Sequence, residues 1–146
     1  MVDTVQKYVQ LLKQNGIKIT PQRLQIIQFL DTHHIHPTAE DTYKTLKKNN
    51  PALSRTTVYN SLETLRKHHI IQELTISGNE HRYDFKQGSH HHFLCRTCGL
   101  ILDIDIKCPN QDRLLHDGHR IEEVHGYFKG LCKNCANKQK NKTVKP

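Results

Sequence analysis

Two Cys-x-x-Cys pairs, Cys95/Cys98 and Cys132/Cys135, and a run of three histidines, His90 to His92, just ahead of the first pair are the residues of this chain best suited to chemistry. Four thiolates in two close pairs are the ligand set of a closed, tetrahedral zinc site. A site filled by four sulfurs leaves the neighbouring imidazoles available to a second ion. Cys108 lies outside both pairs and reads as a simple buried or half-exposed thiol. Candidates for the second ion are His36, Asp84, His90, His92 and Asp103. His90 and His92 flank His91, so an extended backbone projects them to one side. Imidazoles with carboxylates suit iron, manganese or zinc. These residues are drawn from both halves of the chain and the segment joining them. An ion held by all five would fix the angle between the halves.

The elements that must position these residues divide at about residue 86. The first helix is expected from Asp3 to Asn15, with Val5, Val9 and Leu12 on one face and Asn15-Gly16 as its stop. After the connector Ile17-Lys18-Ile19, Thr20 caps a second helix with Pro21 at its first position. Its buried stripe is Leu24, Ile27 and Leu30. Thr38 caps a third helix carrying Ala39, Tyr43 and Leu46, which ends at Asn49-Asn50-Pro51. Ser54 caps a fourth, Arg55 to His68, with Val58, Leu62 and Leu65 inward and Arg55, Thr56, Tyr59, Asn60, Glu63 and Lys67 outward. Runs Ile70–Ile76 and His81–Phe85, with a turn at Ser77-Gly78-Asn79, form a β-hairpin. Helices followed by a hairpin outline a winged helix-turn-helix. Its fourth helix would enter the major groove of DNA, where short polar side chains meet base edges and phosphates.

A polar, Gly-containing hinge at 86–89 leads to the second part, residues 86–135. Strands are expected at Phe93-Leu94, Leu100–Ile106 and within Arg120–Leu131, and a helix at Pro109–Leu115. So small a unit with few large apolar side chains needs a staple. A structural zinc site, contributing about 10–16 kcal/mol of apparent binding free energy, would supply one. Residues 136–146 form a lysine-rich tail expected to be disordered.

Composition narrows the function. A net charge of +8 and a pI near 9.3 suit a polyanionic partner such as nucleic acid. No apolar run is long enough for a membrane span, and no apolar h-region follows Met1, so a cytoplasmic protein is expected. Paired cysteines then hold metal rather than disulfides. Twelve histidines, several of them clustered, also favour metal binding.

At this point the sequence resembles the ferric uptake regulator (Fur) family of metal-dependent bacterial repressors, from about Gly16 to Cys135. The motifs that carry the resemblance are Ile19-Thr20-Pro21-Gln22-Arg23, His36-Pro37-Thr38-Ala39-Glu40-Asp41, Thr57-Val58-Tyr59-Asn60, Arg82-Tyr83-Asp84-Phe85, the histidines before Cys95-x-x-Cys98-Gly99, and Cys132-x-x-Cys135. It implies an α+β fold, an N-terminal winged helix joined to a C-terminal α/β dimerisation domain, in a homodimer that binds an inverted-repeat DNA operator. By the same resemblance the four cysteines hold structural Zn2+. His36, Asp84, His90, His92 and Asp103 hold the regulatory ion, Fe2+ or Mn2+, with Zn2+ as an alternative. Lys18 reaches the minor groove, and Tyr59 and Asn60 contact bases, with Ser54 and Thr57 beside them.

Asp84 and Asn60 resemble the peroxide-responsive (PerR) branch, where many iron-uptake regulators carry Glu and Arg. That branch implies sensing of hydrogen peroxide through metal-catalysed oxidation of a ligating histidine, for which His36 and His90 are the candidates. The alternative signal is iron or zinc availability. Three departures stand out. His91 replaces Asp or an aromatic residue, Ser89 replaces a His, and His125 lies one residue closer to Cys132 than its counterpart. A further metal site of His91, Asp103 and His125 would therefore be incomplete. An enzyme is not expected, since no His-Glu-x-x-His or comparable base motif is present. A zinc-ribbon interaction module would leave the helices and the histidine run unexplained.

Overall fold

A computed structural model of the chain describes residues 4–85, 90–107, 115–122, 124 and 126–143. It divides into two compact units, Met1–Gln87 and Gly88–Pro146. Cys108, His125, Ser89 and most of the expected helix at 109–115 lie outside the described residues.

The first unit holds four helices, α1 (Thr4–Gln14), α2 (Pro21–His33), α3 (Ala39–Lys47) and α4 (Arg55–Lys67), then strands β1 (Gln72–Leu74) and β2 (Arg82–Asp84). Helix starts follow the expected capping chemistry. Thr20 accepts from the Arg23 N–H, with Pro21 just inside the helix. Thr38 and Asp41 form a reciprocal capping box at α3. Ser54 accepts from the Thr57 N–H at α4. Val58, Leu62 and Leu65 of α4 are wholly buried, as their spacing predicts. The face of α1 differs from expectation. Tyr8 and Leu12 are buried, whereas Val5 is exposed. The Tyr8 hydroxyl donates to Asp31 at 2.7 Å, which lets a polar-tipped ring occupy the core. Burial and Asp31 together push its pKa up to about 12. Strands β1 and β2 pair antiparallel, Gln72 opposite Asp84 and Leu74 opposite Arg82. Thr38 bridges to Arg82, so the residue that caps α3 also meets the wing.

The second unit is built on a three-stranded sheet with β3 (His91–Cys95) in the centre. Strand β4 (Ile101–Ile104) runs antiparallel to it and β7 (Tyr127–Gly130) parallel. A separate hairpin joins β5 (Leu115–His116) to β6 (His119–Arg120). Leu115, the expected end of a helix, is therefore in a strand. Asp117 and Gly118 both have positive φ, 47° and 78°, the backbone that a two-residue hairpin turn demands. Helix α5 (Lys133–Thr143) corrects the expected disordered tail, since it carries the chain in helical form well past Lys138. It lacks Gly and Pro, carries four lysines, which suit a helix, and is anchored at its start by Cys135.

Candidate metal centres and the α4 surface

The first Cys-x-x-Cys closes a tight loop at the end of β3. Gly99 donates its N–H to the Cys95 carbonyl at 2.9 Å, and Cys95 donates to Leu100 O at 2.9 Å. Gly99 has φ of 74°, a left-handed conformation that favours glycine. The second pair sits at the start of α5, and Cys132 donates its N–H to Cys95 Sγ at 3.3 Å. Cys98 Sγ and Cys132 Sγ are 3.8 Å apart. That is the edge of a tetrahedron whose metal–sulfur bonds measure about 2.3 Å. The four sulfurs form one cluster, and none of these cysteines is in a disulfide. Their protonation agrees with a cation's place. The Cys132 backbone N–H beside Cys95 pulls that thiol down to about 6, while the neighbouring Cys132 thiol and burial push Cys135 up to about 12. Without a positive charge among them the four sulfurs compete for protons. With zinc, all four become thiolates. The donor set fits zinc.

Each unit also carries nitrogen and oxygen donors. In the first, His36 is buried between α2 and α3, and its Nε2 lies 3.9 Å from Asp84 Oδ2 at the end of β2. In the second, His92 and Asp103 are register partners across β3 and β4 and so share a face. His90, two residues before His92, joins them. The Nε2 atoms of His90 and His92 are 3.1 Å apart, and Asp103 Oδ1 lies 3.6 Å and 3.5 Å from them. Donors that share one ion at about 2.0–2.2 Å are separated by such distances. The expectation that His90 and His92 project together is met, and Asp103 stands with them. His91 does not. It lies on the opposite sheet face, with its ring 5.6 Å from Phe128. A Cβ at Gly126 would collide with the His91 imidazole, so glycine is what admits that ring. The further site expected from His91, Asp103 and His125 is thus split between two sheet faces, and His125 is outside the described residues.

The outer surface of α4 presents Arg55, Thr56, Tyr59 and Asn60, with Tyr59 exposed. Ser54 and Thr57 are partly committed to each other. Their hydroxyls are 2.8 Å apart and cap the helix. Arg55 forms two 3.1 Å bonds to Glu40 and lies 4.5 Å from the Tyr43 ring centre, which ties α4 to α3. Lys18 is exposed in the α1–α2 connector, and its carbonyl accepts from Arg23 at 2.6 Å. Residue type and spacing do not single out Glu40, the partner of Arg55, or Arg82, which donates to the His36 carbonyl. Only their positions within the motifs marked them.

Comparison with known proteins agrees with this architecture. The Ferric uptake regulator family matches residues 14–127. The peroxide-responsive repressor PerR of Staphylococcus aureus is 36% identical over 130 residues, covering 87% of this chain and 88% of that protein. The ferric uptake regulator Fur of Helicobacter pylori, a protein with three functional metal-binding sites, superposes with a TM-score of 0.72 at 22% identity over 93% of this chain and 94% of that one. The PerR of Streptococcus pyogenes, a peroxide sensor, does so with a TM-score of 0.53 at 29% identity over 92% and 94%. No helix among the described residues is long and apolar enough to cross a membrane. With its capped helices and wing, its four-sulfur cluster and a match over most of its length, the chain belongs to the ferric uptake regulator family of transcriptional regulators.

Proposed function

We propose that this protein is a metal-dependent repressor that binds an inverted-repeat DNA operator as a homodimer in the cytoplasm and senses hydrogen peroxide. The observation that carries the reading is the presence in each unit of a partial set of nitrogen and oxygen donors. His36 with Asp84 is one, and His90 and His92 with Asp103 is the other. Neither completes the coordination of a divalent ion. In the proposed active form the five residues share one Fe2+ or Mn2+, and Cys95, Cys98, Cys132 and Cys135 hold a structural Zn2+. Sharing the ion fixes one unit against the other, so metal raises the affinity for DNA. Tyr59 and Asn60 then meet base edges, Ser54 and Thr57 meet phosphates, and Lys18 enters the minor groove.

Bound Fe2+ would catalyse cleavage of the oxygen–oxygen bond of the peroxide, with the two electrons drawn in the end from a C–H bond of the imidazole that is oxidised. A ligating imidazole, His36 or His90, receives one oxygen atom, and the other leaves as water. The altered ring is a poorer donor, and the partial sets part. The similarity to peroxide-responsive repressors supports this signal over iron or zinc supply. The test is peptide mapping of protein loaded with Fe2+ or Mn2+, before and after brief peroxide exposure. The expected result is the mass of one oxygen atom gained at His36 or His90 with iron only. Metal-dependent DNA binding with no histidine oxidation would replace the peroxide reading with a Fur-type or Zur-type repressor reporting iron or zinc availability.

A further inference from the structure

His36 holds a φ of 49°, a left-handed backbone that a non-glycine side chain keeps only where its surroundings over-determine it. Strand β2 supplies the restraint. Tyr83 donates its N–H to Pro37 O at 3.0 Å, Thr38 bridges to Arg82, and Arg82 Nη1 donates to the His36 carbonyl at 3.2 Å. The same guanidinium turns to the other end of the hairpin. Its Nε donates to Ser77 Oγ at 3.3 Å and its Nη2 to Glu80 Oε2 at 3.0 Å. Ser77 and Glu80 lie between β1 and β2, at the turn of the wing. Arg82 and Asp84 are two residues apart in β2 and so share a strand face. One planar group thus spans the wing turn and the backbone of one candidate ligand, two residues from another. A lysine ammonium cannot hold three such separated acceptors at once.

We propose that Arg82 is a positioning residue, a strut that sets His36 for metal and couples the occupied half-site to the wing turn. The proposal rests on the reading above, in which His36 and Asp84 ligate the sensed ion. Metal then tightens the segment His36–Thr38 against β2, and the guanidinium carries that order to Ser77 and Glu80. Loss of Arg82 frees both ends together.

The test uses the full-length, zinc-loaded protein titrated with Co2+, followed by visible absorption, with DNA binding measured in parallel. Arg82→Ala is expected to weaken Co2+ binding about tenfold, the lower end of what outer-shell partners of metal ligands contribute, and to alter the cobalt spectrum. Glu80→Gln, which weakens only the wing side, is expected to keep Co2+ affinity within about twofold while the cobalt-dependent gain in DNA affinity shrinks about fivefold. Arg82→Lys is expected to fall between wild type and Arg82→Ala. If Arg82→Ala fails to fold, the lysine variant decides. Wild-type cobalt affinity and spectrum in the folded variant overturn the strut alone. Wild-type protein that takes up no cobalt beyond the cysteine site overturns the functional reading and the strut with it.

Discussion

Leu12, Ile26, Ile27, Val58, Leu62 and Leu65 are hidden from solvent in the helical unit, so its core is hydrocarbon. In the second unit Cys95, Cys132 and Cys135 are buried together, with Phe93 packed against them. Each fully buried aliphatic side chain of the first unit contributes about 1.5–3 kcal/mol through removal from water. The sulfurs of the second contribute little that way, and with the proposed zinc they would contribute much through the ion. The first unit is therefore stable through many small contacts, no one of which dominates. With the proposed zinc, the second would depend on one centre and fail as a whole when it is lost.

The largest test of that contrast is removal of the ion proposed for the four cysteines, by a strong chelator or by Cys132→Ser. With about 10–16 kcal/mol at stake, amide hydrogen exchange is expected to accelerate throughout β3, β4, β7 and α5 and to stay slow in α2 and α4. Unchanged protection of β3 after complete metal removal would contradict the contrast. Leu62→Ala should produce the reverse map at smaller cost. A cavity in the helical core is expected to destabilise that unit by about 2–5 kcal/mol in denaturant unfolding, with protection of β3 unaffected.

A smaller effect lies at the start of α3. Thr38→Ala removes the hydroxyl's half of the capping box, leaving the Thr38 N–H bonded to Asp41, and is expected to cost about 1 kcal/mol. Hydrogen bonds from the Thr38 hydroxyl and N–H hold the Asp41 carboxyl below its ordinary value. A folded-state pKa below the unfolded one adds stability that is complete above the ordinary Asp value of about 3.9 and is lost as pH falls through the folded value. The share carried by the Thr38 hydroxyl's bond to the Asp41 carboxylate should therefore vanish in acid, while the Asp41 N–H bond to that hydroxyl persists. The gap between wild type and Thr38→Ala should narrow below about pH 4, as followed by thermal unfolding across pH.

The same contrast explains what could be read from the chain alone. Val58, Leu62 and Leu65 announced α4 because hydrocarbon at helical spacing has one use. Tyr8 was passed over for Val5 because its hydroxyl counts as polar until Asp31, 23 residues away, is seen to accept from it. The four cysteines were legible from spacing, and the pairing of His90 with His92 from strand alternation. Leu115 alone of the β5–β6 hairpin falls in the expected helix, and the hairpin itself goes unread although Asp117-Gly118 carries its turn signal, because strands of two residues have no periodicity to detect. Arg82 escaped because its acceptor, the His36 carbonyl, is 46 residues away and is backbone. No pattern of residue types records such a bond. Helix α5 was mistaken for a solvated tail because lysine content speaks of charge, whereas its anchoring at Cys135 is set by the fold.

The central claim is that an ion shared by the two partial donor sets controls DNA binding. The most direct measurement is operator affinity across a Mn2+ titration of zinc-loaded protein, for wild type and Asp103→Ala. Wild type should gain about 5–150-fold in affinity with metal, a coupling of about 1–3 kcal/mol. Asp103→Ala should remain folded with its zinc and gain nothing. Equal affinity for DNA with and without Mn2+ in the wild type, or an undiminished gain in Asp103→Ala, would contradict the account.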